Sequence, residues 1–218
     1  MELAIVPYQP EHRPRIREIV CDTAFAGKPV DPFFEDRELF ADINTKYYTD
    51  MEPESIFVAL ADNEVAGYLL TCVDTERYVN EMTWKYAPEL LLGLVTGRYH
   101  VGPRALTYFL RNGFLLLSGV YEMPPLDLYP AHLHINLAEG FRRFGLGRRL
   151  IQACFDYLGE KNSAGVHLGT SSIHAEAVPF YHSLGFETYS TRRMRVSPWA
   201  DAVKQDIYSI IFVKRFEL

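Results

Sequence analysis

Cysteine is scarce in this chain of 218 residues: Cys21, Cys72 and Cys154 are all there is, odd in number and far apart. No CxxC pair and no zinc-ligand spacing occurs. That excludes a disulfide framework and a cysteine metal cluster, and leaves buried free thiols in a reducing compartment. Long hydrophobic runs are missing too. The longest, ELLLGLV and FLLLSGV, fall far short of the ~20 residues needed to cross a bilayer. The opening residues MELAIVPYQPEHRPR lack the basic-then-apolar order of a signal peptide. Positive charge is in deficit: the net charge of −6 is the reverse of a nucleic-acid-binding domain. These absences imply a cytoplasmic protein with no metal, no nucleic-acid partner and no membrane partner. Internal repeats and low-complexity segments are also absent.

What is present is a patterned globular chain, 48% hydrophobic, enough to bury a substantial core. ELAIVPY reads as a first strand. A helix follows, with Ile16, Ile19 and Val20 on one face and Gly27 beyond its end. Residues 35–51 read as a second helix. The runs 55–60 and 65–73 flank Asp62-Asn63, the chemistry of a hairpin turn. Residues 74–130 are less regular, with helices over about 80–96 and 103–118 and a proline-rich exit. HLHINL is a strand, 146–160 a helix, and GVHLGT a strand. HAEAVPFYHSLG is a short helix closed by Gly185, and two strands end the chain. The order ββ, β-α-β-α, ββ predicts one mixed α/β sheet with helices on both faces.

An acidic chain has one concentrated basic spot. Arg142, Arg143, Arg148 and Arg149 surround Gly145 and Gly147, where HLHINL runs into the 146–160 helix. A helix N-terminus exposes unpaired N–H groups at the positive end of its dipole, and glycine lets an anion approach the backbone. The stretch suits a ligand with a diphosphate. It is neither a Walker A loop nor a GxGxxG fingerprint, and the missing fingerprint disfavours a dinucleotide oxidoreductase.

Two spaced motifs turn this reading into a resemblance. RRFGLG fits [Q/R]-x-x-G-x-[G/A] after a strand, with Arg142, Gly145 and Gly147 in place. AVPFYHSLGF fits a helix ending in F-Y-x-x-x-G-F, through Phe180, Tyr181, Gly185 and Phe186. Together, in this order and separation, they resemble the GCN5-related N-acetyltransferase (GNAT) family. Within it, YPAHLHINL and HLGTSSIHAEAVPFYHSLGF are most similar to a microbial subgroup and to the acetyltransferase-like module of some O-GlcNAc hydrolases. Two departures stand out: His174 occupies a position where the family often has Asn, and 74–130 is longer than the usual connection.

The resemblance implies a single GNAT-like domain over 1–218 with a helical insertion at about 74–130. The sheet would have about seven mostly antiparallel strands, splayed at a central parallel pair. It implies an acetyl-CoA-dependent N-acetyltransferase acting by direct attack of an amine acceptor, a small molecule or a protein amine. The alternative is a module that binds acetyl-CoA without catalysis. Acetyl-CoA would lie between HLHINL and GVHLGT, its pantetheine arm beside Ile135, Asn136 and Leu137. Its pyrophosphate would meet Arg142, Arg143, Phe144, Gly145, Leu146, Gly147 and Arg148, with His174 nearby. Tyr181 is the expected acid for the leaving thiolate, or else it only packs against the cosubstrate. His132, His134 and Asn136 alternate onto one strand face, so His134 and His132 are the base candidates, with His167 behind them. Glu122 and Asp127 also remain open. Phe33, Phe34, Tyr47, Tyr48, Trp84, Tyr86 and Tyr121 could line an acceptor site, only a few of them facing the ligand. The insertion is either an acceptor wall or a homodimer interface.

Overall fold

The computed structural model describes residues 1–197, 203 and 205–217. Seven strands form one sheet: β1 Leu3–Pro7, β2 Ile56–Ala61, β3 Glu64–Cys72, β4 Ala131–Leu137, β5 Gly165–Ser171, β6 Glu187–Arg193 and β7 Tyr208–Arg215. Their order is β1-β2-β3-β4-β5-β7-β6. Every neighbouring pair is antiparallel except β4 and β5. This matches the mixed sheet predicted from the sequence. The β2–β3 hairpin turns through Asp62 and Asn63, both at positive φ (49° and 65°), the left-handed backbone that these two residue types tolerate best.

The parallel pair is where the sheet opens. β4 and β5 meet only at Ala131↔Val166 and His132↔His167. Beyond that point residues 133–137 of β4 pair with β3 alone. Antiparallel strands point the backbone groups of alternate residues to alternate sides. The amide of Ala138 donates to Ala66 O at 2.9 Å, so even-numbered β4 residues face β3. The backbone groups of Leu133, Ile135 and Leu137 therefore face the gap.

Helices cover both sheet faces. On one, α1 Arg13–Asp22 and α2 Arg37–Met51 bury Ile16, Ile19, Leu39 and Phe40 against Ile56, Val58 and Leu70. On the other, α6 Leu146–Glu160 and α7 Ala177–His182 bury Leu150, Ile151, Leu158 and Tyr181 against Leu69, Leu133 and Phe212. The α6 stripe Leu146, Leu150, Ile151, Cys154, Leu158 is the i, i+4, i+5, i+8, i+12 pattern of one helical face. All three cysteines are buried free thiols.

The segment between β3 and β4 holds α3 Thr75–Glu81, α4 Ala87–Val95 and α5 Pro103–Leu117. The sequence predicts its first helix at about 80–96; it begins five residues earlier. Asp74 caps it, accepting from the Arg77 amide at 3.0 Å, a cap signal as informative as the apolar pattern. One wide π turn, Met82–Tyr86, joins α3 to α4. Pro88 follows it, and a proline cannot supply the N–H that would bond back to Trp84. The segment is tied to the core through Asp42 of α2, 3% exposed. Asp42 accepts from Arg17 and Tyr99 and pairs with Arg98 at 3.1 Å. Burial alone would raise the Asp42 pKa, but the Tyr99 and Arg17 hydrogen bonds and the two guanidinium charges hold it low. Among the described residues no helix is long and apolar enough to cross a membrane.

Candidate active site

A cavity of about 790 Å³ runs through the opening between β4 and β5. Two lobes meet there. The lower lobe is walled by Leu133, Ile135, Gly169, Ser171, His174 and Tyr181. The upper lobe, under α1, α2 and the 74–130 segment, is walled by Thr23, Asn44, Tyr48, Tyr78, Tyr108 and Tyr121. His132, His134, Asn136 and His167 also line the cavity.

Below the opening lies the glycine turn. Arg143 and Gly145 both take positive φ, 67° and 80°. Gly145 caps α6 with no side chain to satisfy the helix. The first intrahelical bond is Arg149 N to Gly145 O, 3.2 Å, so the amides of Leu146, Gly147 and Arg148 precede the ladder. Nothing lies within 4 Å of where a Gly145 Cβ would be. The turn is thus an uncapped, unobstructed, positive helix end.

The flanking residues divide by role. Arg148 reaches Ser183 Oγ at 2.9 Å, and exposed Arg143 pairs with Glu176. Arg142 is different: its guanidinium packs over Gly27 in the loop after α1, so close that a Cβ there would collide with it. Its Nε donates to Leu137 O at 3.3 Å. Arg149, in the same cluster, instead donates to Leu3 O at 2.9 Å. Phe144 is exposed, while Leu146 is fully buried and offers the cavity end of the helix only its backbone.

Three histidines form the floor between the lobes. Thr75 Oγ1 donates to Pro130 O at 2.7 Å, so its 2.8 Å contact with His132 Nδ1 must be donation by that nitrogen. His132 Nε2 is then the acceptor for the Tyr48 hydroxyl, at 2.8 Å. Burial, with the nearby His167 and His134, pushes the His132 pKa down to about 3. Burial pushes His134 down to about 4, and the Asn136 amide donates to its Nε2 at 3.1 Å. His167 Nδ1 donates to Tyr129 O at 3.0 Å, which makes Nε2 its basic nitrogen. Its pKa is lowered by burial, against backbone carbonyls that raise it. Burial and Arg142 likewise lower His174. All four imidazoles are neutral at physiological pH.

Tyr181 projects from α7 into the lower lobe. Its ring packs on Phe180, Phe186 and Phe212, and its hydroxyl has no hydrogen-bond partner among the described residues. Burial raises its pKa, so the phenol keeps its proton.

The structure sorts the candidate wall residues, of which only a few face the cavity. Phe34, Tyr47 and Tyr86 are core residues, and Trp84 faces outward. Phe33 stacks on Phe25 instead of the cavity. Only Tyr48 and Tyr121 of the seven aromatics line the cavity. Glu122 pairs with Arg192 at 2.9 Å and Asp127 is exposed; neither reaches the cavity wall. The wall residues that sequence reasoning missed include Thr75, Tyr78, Tyr108 and Asn44. For the first two a signal existed: the Asp74 cap puts Thr75, Tyr78 and Met82 on one helical face.

An open parallel strand pair over a glycine helix end is the geometry of the site, and comparison with known proteins finds the same fold elsewhere. The crystal structure of SsHAT superposes with TM-score 0.74 and 28% identity, over 99% of this chain and 98% of that one. A GCN5-related N-acetyltransferase from Kribbella flavida matches at TM-score 0.60 and 15% identity, 98% of each chain. Salmonella typhimurium yncA, with its cofactor acetyl-CoA, matches at TM-score 0.58 and 12% identity, 100% of this chain and 96% of that one. The sequence profile of the acetyltransferase (GNAT) family matches residues 112–186, which span β4, the glycine turn, α6, β5 and α7. Over this stretch, about a third of its length, the chain is similar to the acetyltransferase (GNAT) family, and over nearly all of it the fold is similar to that of SsHAT.

Proposed function

We propose that this chain is an acetyltransferase of the GNAT type that transfers an acetyl group from acetyl-CoA to an amine by direct attack. The observation that carries the reading is the β4–β5 pair, joined at two positions and open above an uncapped α6 N-terminus. The residues present fit acetyl-CoA. The α6 end, with Arg143 and Arg148 beside it, suits a pyrophosphate. The gap-facing backbone of Leu133, Ile135 and Leu137 suits the amides of a pantetheine arm, with Asn136, Phe144 and His174 at its borders.

In this reading Arg142 has a second task. Packed on Gly27 and bonded to Leu137 O, it ties the glycine turn to the loop that roofs the acceptor lobe. Bound acetyl-CoA supplies the thioester. Tyr181, protonated and uncommitted, gives its proton to the departing thiolate. A gap-facing backbone N–H of β4 holds the developing oxyanion.

His132 and His134 accept the amine proton, His132 through the Tyr48 hydroxyl. Bases of such low pKa suit an amine that arrives already neutral, because the adduct formed by attack is far more acidic than the free ammonium. The upper lobe supports the same conclusion: tyrosines, Asn44 and neutral imidazoles face it, groups that receive an uncharged acceptor without a desolvation penalty for charge.

The test is release of free thiol from acetyl-CoA on addition of primary amines to the purified chain. Amine-dependent release supports transfer. Acetyl-CoA binding with no release for any amine would leave the non-catalytic module in its place.

A further inference from the structure

We infer that the outward face of α5 is a self-association surface, and that two copies of this chain pair α5 against α5 across a two-fold axis. The helix has two contrasting sides. Ala105, Tyr108, Asn112 and Leu115 point inward: Ala105 and Leu115 are fully buried and Tyr108 lines the cavity. Leu106, Phe109, Leu110, Phe114, Leu116 and Leu117 point outward and are between 38% and 90% exposed. Both sides of this helix are apolar; at the edge of the outer one Phe109 packs its ring on Phe34 at 5.4 Å, and the other outward side chains stay more than half exposed among the described residues.

The stripe is not a frayed segment. The Glu35 carboxylate accepts from the amides of Arg104 and Ala105 at 2.9 and 2.8 Å, a cap supplied from another part of the fold. At the far end Leu115 packs on Met194 and Ile207.

Area, charge and shape favour a second copy. Six such side chains present roughly 700–800 Å² of apolar surface, about one partner's share of a standard interface. That exceeds the ~300–600 Å² of the largest patch on an ordinary monomer. Between Leu106 and Leu117 the helix carries one charge, Arg111, whose guanidinium reaches back toward Ser197 O at 3.4 Å. A self-complementary interface can therefore close even though each chain carries −6. Gly113 lies among the outward residues, with nothing within 4 Å of its Cβ position. A mid-helix glycine costs about 1 kcal/mol relative to alanine. Here it lowers the ridge so that a second helix can cross closely. A helix lying on a membrane would instead be bordered by cations, and its last turns, Gly113–Leu117, hold none.

Pairing would also buttress the site. On the inward side of α5, Asn112 Oδ1 accepts from the Tyr121 hydroxyl at 3.0 Å, and Tyr121 and Tyr108 are both cavity walls.

Sedimentation velocity of the full chain across the micromolar range tests the pairing independently of activity. The wild type should run at twice the chain mass. Leu110→Lys and Leu117→Lys should run at the single mass, with an unchanged circular dichroism spectrum and unchanged acetyl-CoA affinity. Leu117, at 90% exposure, tolerates lysine in the monomer, so it reads out even if the Leu110 variant folds poorly. A wild type at the single mass throughout overturns the inference, as do variants that keep the double mass. Flotation of the wild type with phosphatidylcholine–phosphatidylserine vesicles, at single mass, would assign the face to a membrane instead.

Discussion

The Tyr48 hydroxyl donates to His132 Nε2 at 2.8 Å while His132 Nδ1 donates to Thr75 Oγ1 at 2.8 Å. One imidazole is thereby fixed in one tautomer between α2 and α3, at the point where β4 and β5 part. With His132 held at about 3 and His134 at about 4, neither changes charge between pH 5 and 8. The log of kcat/KM should therefore rise with unit slope up to the pKa of the acceptor amine itself, with no inflection near 6.5. Two amines of different basicity should give profiles displaced by the difference in their pKa values. An inflection near 6.5 common to both would instead identify a titrating histidine as the base.

Tyr181→Phe removes a hydroxyl that no other group among the described residues uses, so the fold should be unaffected. If the hydroxyl serves as the acid, kcat drops on the order of 100-fold while acetyl-CoA affinity stays within about twofold, the signature of an interaction made only in the transition state. Steady-state kinetics with calorimetry separates the two. Full kcat in the variant removes the acid role, and weakened binding alone makes Tyr181 a packing residue.

Asp42→Ala should be the most damaging single change outside the cavity. It leaves the half-buried Arg17 with Glu38 as its remaining acidic partner and releases Arg98 and Tyr99, which hold the 74–130 segment. Breaking such a buried pair costs about 3 kcal/mol, or ~10 °C in Tm for a chain of this size. Because the Asp42 pKa is lowered in the folded state, its contribution is present above the ordinary carboxylate pKa and is lost as pH falls through the folded value. Scanning calorimetry at pH 7 checks the first point: a shift below about 2 °C would show that the network is not what secures the segment.

Tyr121→Ala opens the upper lobe at a half-exposed position away from the glycine turn. Acceptor KM should rise about tenfold with acetyl-CoA KM unchanged. Equal changes in both would place Tyr121 against the cosubstrate, contrary to the assignment of the lobes.

The mixed sheet, the hairpin and the glycine turn were legible in the sequence because they rest on local signals: alternation in HLHINL, the Asp62-Asn63 pair, glycines at a helix start. The histidine face was legible for the same reason. The acceptor walls were not. Tyr47 and Tyr48 are adjacent in α2, yet one hydrogen-bonds Glu52 in the core and the other faces the cavity. Composition cannot separate them, since that depends on how the helix is rotated against the sheet. Arg142 shows the same limit. The motif named it, but its seat over Gly27 is a contact across more than a hundred residues of sequence.

The central claim is that the α6 N-terminus binds the pyrophosphate of acetyl-CoA, and titration calorimetry of acetyl-CoA into Gly145→Asp and Gly145→Asn tests it most directly. Both residues tolerate the φ of 80° found there, and their side chains enter space that holds no protein atom. The account predicts that Asn weakens binding about tenfold by obstruction, and that Asp weakens it at least another tenfold by placing like charge at the anion site, the gap narrowing with salt. Affinity for acetyl-CoA equal to wild type in both variants would contradict it.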